Sequence, residues 1–189
     1  MPVQYMSTAL LLIDVQKGLD SASLGRRNNP QAEEHMASLL AAWRKRQAPI
    51  IHIRHCSTEA ASPLRPELPG NAFKEEVLPA ADELVFRKSV NSAFIGTSLE
   101  QYLRSAGISR LVVMGLTTDH CVSATTRMAS DLGFDVILVS DATAAFGRTG
   151  YDGTRYSAED IHRISLVTLD GEFCEVRSTA DILAEIINA

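Results

Sequence analysis

A carboxylate, an ammonium and a thiol, Asp14, Lys88 and Cys121, each follow an apolar run in this 189-residue chain. Asp14 closes Ala9-Leu10-Leu11-Leu12-Ile13, and Lys88 follows Leu84-Val85-Phe86. Cys121 comes after Leu111-Val112-Val113-Met114 and the turn Gly115-Leu116-Thr117-Thr118. Brought together, they suit nucleophilic hydrolysis, with the carboxylate as base, the ammonium as charge stabiliser and the thiol as nucleophile. Each has a plainer reading alone: a small core residue, a turn or cap residue, a solvated strand-end charge. The coincidence of three carries the functional reading. Cys121 is further expected at a helix N-terminus, where the dipole and free N–H groups favour a thiolate. Cys56 and Cys174 keep the plain reading.

Such residues can meet only if the elements before them share one sheet. Besides the runs already named, Pro49-Ile50-Ile51-His52-Ile53 and Val136-Ile137-Leu138-Val139 read as strands buried on both faces. Glu83-Leu84-Val85-Phe86 and Phe173-Cys174-Glu175-Val176 are weaker candidates. Helical patterns fall between them: Ala32 to Arg46, Thr97 to Ala106 with Thr97 as N-cap, Asp119 to Leu132, Ala158 to Leu169, and Ala180 to Ile187 capped by Ser178. Strands alternating with helices imply an α/β fold of three layers. Its centre is a mainly parallel, six-stranded, Rossmann-like sheet with helices on both faces. In such a sheet a ligand sits beyond the carboxyl ends of the strands, where all three residues are expected. Cys56 to Asn71, with three prolines, and the glycine-rich Phe146 to Tyr156 are irregular. A loop as long as the first is uncommon and often functional.

Composition narrows the rest. The length suits one domain, 1–189. Lys and Arg total 18 against 23 Asp and Glu, a balance of −5 that leaves no basic face for nucleic acid. No apolar run approaches the roughly 20 residues of a membrane span. The N-terminus lacks a basic segment and reads as a first strand, not a signal peptide. Three scattered cysteines exclude a disulfide framework and suit a reducing cytoplasm. Phosphate-binding rivals fail: Asp14-Val15-Gln16-Lys17-Gly18-Leu19 holds one glycine, and no G-x-x-x-x-G-K-[ST] occurs. His52 and His55 straddle a strand end without an acidic partner at ligand spacing, so no metal and no cofactor is expected.

At these residues the chain resembles the isochorismatase-like cysteine hydrolase superfamily, which includes nicotinamidases, N-carbamoylsarcosine amidase, streptothricin hydrolase and isochorismatases. Leu12-Ile13-Asp14-Val15-Gln16 is similar to its first-strand signature and Lys88-Ser89-Val90-Asn91-Ser92-Ala93-Phe94 to its lysine segment. Gly115-Leu116-Thr117-Thr118-Asp119-His120-Cys121-Val122 resembles its nucleophile turn, and Ser140-Asp141-Ala142 the strand end that follows. The resemblance implies an Asp14–Lys88–Cys121 triad and a cis peptide at Leu116–Thr117. It also implies an oxyanion hole formed by the Thr117 and Cys121 backbone N–H groups. Two departures stand out. Leu19 replaces a common aromatic, and Ile51-His52-Ile53-Arg54-His55-Cys56 lacks the Asp-x-His pair with which nicotinamidases hold metal. Residues His55 to Phe73 look more like the streptothricin-hydrolase side. The resemblance thus implies cleavage of a C–N bond in a small amide, lactam or ureide through a thioester, by a homodimer or homotetramer. Gln16, His55, Phe94, His120 and Tyr151 are candidates for the substrate pocket. The alternatives are an isochorismatase-type vinyl-ether hydrolase, which protonates its substrate through Asp14 and has no need of the thiol, and a non-catalytic thiol sensor or scaffold.

Overall fold

The computed structural model describes residues 7–188; the reading of residues 1–6 as the approach to a first strand lies outside them. Six parallel strands form the central sheet: β1 (Thr8–Ile13), β2 (Ile50–His55), β3 (Leu84–Lys88), β4 (Arg110–Leu116), β5 (Asp135–Ala144) and, after a short hairpin of β6 (Arg148–Thr149) and β7 (Arg155–Tyr156), β8 (Glu175–Arg177). Their order is β3-β2-β1-β4-β5-β8.

The apolar runs produce this sheet because β1 is buried along its whole length and sends alternate residues to opposite faces. Leu10 and Leu12 join one core cluster with Met36, Leu39, Leu40 and Trp43 of α1 (Ala32–Arg46) and Ile182 of α5 (Thr179–Asn188). Ala9, Leu11 and Ile13 join the other with Leu99 and Leu103 of α2 (Leu99–Ser105) and Ala129 of α3 (Ser123–Asp131). Three layers result, as expected.

Two helices begin where sequence places them. α4 (Ala158–Val167) opens on a capping box in which the Ser157 hydroxyl accepts from the Asp160 N–H. Ser178 likewise accepts from the Asp181 N–H at the head of α5, and Asp141 accepts from the Thr179 N–H and hydroxyl. Two expectations need correction. Ser98, not Thr97, occupies the N-cap position of α2, although the Thr97 hydroxyl accepts from the Leu99 N–H. The stretch expected as one helix from Asp119 to Leu132 is a π-helical turn over Thr118–Val122 leading into α3. No helix among the described residues is long and apolar enough to cross a membrane.

Candidate active site

The strand order makes β1 and β4 neighbours from which the sheet is built outward in both directions. That switch point opens a crevice beyond the strand ends. Asp14 leaves β1 there, with a φ of 51° that non-glycine residues seldom adopt. His55 and Lys88 end β2 and β3 in register with one another. β4 passes through a cis peptide at Leu116–Thr117 into the π-turn that carries Cys121. Gly115, just before it, approaches β1 so closely that an added Cβ would lie 2.1 Å from the Ile13 carbonyl oxygen. Any side chain at this position would push the two site-bearing strands apart.

Lys88 is the hub. Its Nζ lies 2.5 Å from Asp14 Oδ2, 3.0 Å from His55 Nδ1 and 3.3 Å from Cys121 Sγ. The other Asp14 oxygen, Oδ1, is buried without a hydrogen-bond partner among the described residues. Sγ also faces Asn91 Oδ1 at 3.7 Å. Behind the π-turn, the Thr118 hydroxyl pairs with His162 Nδ1 at 2.9 Å, which ties the segment bearing Cys121 to α4.

Burial dominates the electrostatics. It raises the Asp14 carboxyl above its ordinary value, and Lys88 only partly reverses the shift. It pushes the Cys121 thiol up to about 12, reinforced by the Asp14 charge and opposed by Lys88. The expected thiolate is therefore not the resting form. Cys121 lies inside the π-turn, two residues before α3, and desolvation outweighs any help from a helix end. The same burial, with the Lys88 charge, lowers His55 to about 4, so its imidazole is neutral.

A cavity of about 690 Å³ opens over these groups. Of the expected residues, Asp14, His55, Thr117, His120 and Cys121 line it; Lys88, Gln16, Phe94 and Tyr151 do not. Gln16 is fully buried, and its amide is spent on the backbone of His55 and Asn71. Phe94 stacks on Phe134 in the core, and Tyr151 is fully exposed on the hairpin. Sequence reasoning missed several lining residues. Ser57, Thr58 and Ser62 come from the proline-rich loop, and Asn91 from the stretch after Lys88. Arg148 of β6 also lines the wall, where its Nε donates to Asp119 Oδ2 at 2.7 Å. The irregularity of the first loop was the available signal. Arg148 lies in the second irregular stretch, Phe146 to Tyr156, whose glycine-rich sequence marked the segment but not this side chain.

Donor atoms of Asp14, His55 and Cys121 lie within 4.8 Å of one another, a spacing that could hold a metal ion. The Lys88 ammonium, however, already contacts all three residues. The cationic position among those donors is filled by the protein itself.

Residues 8–181 match the family model described as the isochorismatase domain. The isochorismatase family protein YrdC of Bacillus subtilis is 46% identical, over 95% of this chain and 96% of its own. Streptothricin hydrolase of Streptomyces noursei is 33% identical over 73% of this chain and 50% of its own. Maleamate amidohydrolase of Pseudomonas putida is 29% identical over 94% and 86%. Among solved structures, an isochorismatase-family protein of Chromobacterium violaceum superposes with a TM-score of 0.96 at 50% identity, covering 100% of this chain and 98% of that one. A parallel sheet with its crevice at the β1–β4 junction, matched in sequence and shape by these relatives, makes the chain a member of the isochorismatase family of hydrolases.

Proposed function

We propose that the protein is a cysteine amidohydrolase that cleaves a C–N bond of a small amide, lactam or ureide through a thioester. The observation that carries this reading is the Lys88 ammonium touching both Asp14 and Cys121, two residues that line one cavity. The relative named maleamate amidohydrolase supports the bond class.

The chemistry follows from which groups hold protons. With its pKa at about 12, the thiol at pH 7 is ionised to only about one part in 10⁵. Attack is therefore coupled to deprotonation. Sγ bonds to the substrate carbonyl carbon as the thiol proton passes to Asp14, whose raised pKa makes it a stronger base than an exposed carboxylate. The negative charge moves to the carbonyl oxygen, which the Thr117 and Cys121 backbone N–H groups stabilise. One such donor is worth about 10²–10³ in rate. Asp14 then returns its proton to the leaving nitrogen, the C–N bond breaks and a thioester remains. Water, losing its proton to Asp14, adds to the thioester. Collapse releases the acid and restores the thiol. Lys88 keeps its proton throughout and balances whichever neighbour is negative. A vinyl-ether hydrolase would protonate substrate from Asp14 and leave the cavity-facing thiol idle.

Three free cysteines fit a reducing cytoplasm. Exposed Ile164 and Val167 on α4 offer apolar surface for the proposed homodimer or homotetramer.

Cys121→Ala should abolish ammonia release from a panel of amides and ureides while circular dichroism stays unchanged. Wild-type turnover by the variant would refute covalent catalysis.

A further inference from the structure

A lysine ammonium has three N–H donors, and Lys88, 3% exposed, has three acceptors within reach. Two are the proposed base and nucleophile. The third is His55 Nδ1, at 3.0 Å.

We propose that His55 is a positioning residue, whose imidazole aims the Lys88 ammonium at Asp14 and Cys121 as the fourth member of the catalytic network. Accepting through Nδ1 requires that nitrogen to be unprotonated, so the proton of the neutral ring sits on Nε2. The low pKa, about 4, keeps the acceptor available at every pH at which the enzyme would work.

The fold fixes His55 from behind. Gln16 Oε1 accepts from the His55 N–H at 2.8 Å, and Gln16 Nε2 donates to the His55 carbonyl at 3.1 Å. Asn71 Nδ2 donates to the same carbonyl at 2.8 Å, and the Asn71 carbonyl accepts from Gln16 Nε2 at 2.9 Å. Two buried amides thus hold the backbone of the residue that holds the lysine. This gives the proline-rich loop, which ends at Asn71, a task beyond lining the cavity. It also gives Gln16 a task without substrate contact.

The consequence is specific. With an apolar side chain at position 55, one ammonium N–H is left buried without an acceptor, so the ammonium turns away in search of one. That movement weakens its hold on a negative sulphur. A mere substrate-contact role for His55 predicts no such effect on the thiol.

The proposal takes its catalytic meaning from the amidohydrolase reading, but its test needs no substrate. The rate of Cys121 alkylation by iodoacetamide is followed across pH by mass spectrometry of the Cys121 peptide. For His55→Leu the rate at pH 8 should fall about tenfold or more, as expected for one lost hydrogen bond to a charged group. The rise with pH should also move to higher pH. His55→Gln, which keeps an acceptor oxygen, should stay within about threefold of wild type. Should His55→Leu fail to fold, His55→Ala with added imidazole is the alternative, and recovery of the alkylation rate is expected. Wild-type alkylation in His55→Leu, equal loss in the Gln variant, or no recovery with imidazole would overturn the proposal. A silent amide panel alongside the expected alkylation pattern would reject the amidohydrolase reading and keep the role of His55.

Discussion

Two buried carboxylate–lysine pairs lie near the end of β1, and they behave in opposite ways. At the site, Asp14 is 1% exposed and, among the described residues, meets one cation, Lys88. Desolvation wins, and its pKa rises. Nearby, Glu33 of α1 meets Lys74 at 2.6 Å and is forked by Arg27. Burial raises its pKa too, but two cations overcome it and hold the carboxyl at about 2. Lys74, whose N–H donates to the Val15 carbonyl, also bonds Asp20 at 2.5 Å. This second cluster fastens the 72–77 segment to α1 and to the strand end that bears Asp14. The number of cations per buried carboxylate separates the proposed base from an anchor.

Substitution of each acid sharpens that contrast. Asp14→Asn should lower turnover by about 10²–10⁴-fold, the usual worth of a general base. It should cost less stability than the matching change at Glu33, because an ionised Asp14 with a raised pKa already weighs against folding at neutral pH. A larger stability loss than at Glu33, or retained turnover, would break the distinction. Glu33→Gln should do the reverse. A shift from 4.5 to about 2 corresponds to about 3 kcal/mol at pH 7, read from chemical denaturation. Turnover should stay within about threefold, since no reacting group is touched.

The smallest effect is in the pH dependence, where the signs also oppose. Glu33 has a depressed folded pKa, so its stabilisation is complete above about pH 4.5 and is lost as pH falls towards 2. Wild type and Glu33→Gln should converge in stability across that window. Asp14 is raised, so protonating it relieves the fold but removes the proposed base. Turnover should therefore fall on acidification at a pH above the ordinary aspartate value of 3.8, while the Glu33 anchor is still ionised. An acid limb at or below 3.8 in kcat/KM would contradict the assignment.

Much of this arrangement was legible in sequence for a plain reason. β1, β4 and β5 each contain an unbroken run of four or more apolar residues, and β2 holds three isoleucines around the buried His52, the composition expected of strands covered on both faces. Asp14 and Lys88 could be placed because each sits at a strand end. The π-turn could not, since a one-residue widening leaves the helical pattern of Asp119 to Leu132 intact. His55 was named only as a pocket candidate. Its bond to Lys88 arises from register between β2 and β3, which periodicity does not report. Gln16, Phe94 and Tyr151 were misplaced because a side chain's direction is settled by the partners it finds, and Gln16 found backbone.

β3 forms one margin of the sheet, hydrogen-bonded to β2 alone, with Leu84 and Val85 more than a third exposed until the strand turns inward at Lys88. The ammonium on which both other groups depend is thus delivered by a thinly covered part of the scaffold. Opening such a margin takes less free energy than melting the centre. On gentle warming, amide exchange should quicken along residues 84–88 before it does in β1 or β4. Activity should fade with it while most of the molecule is still folded.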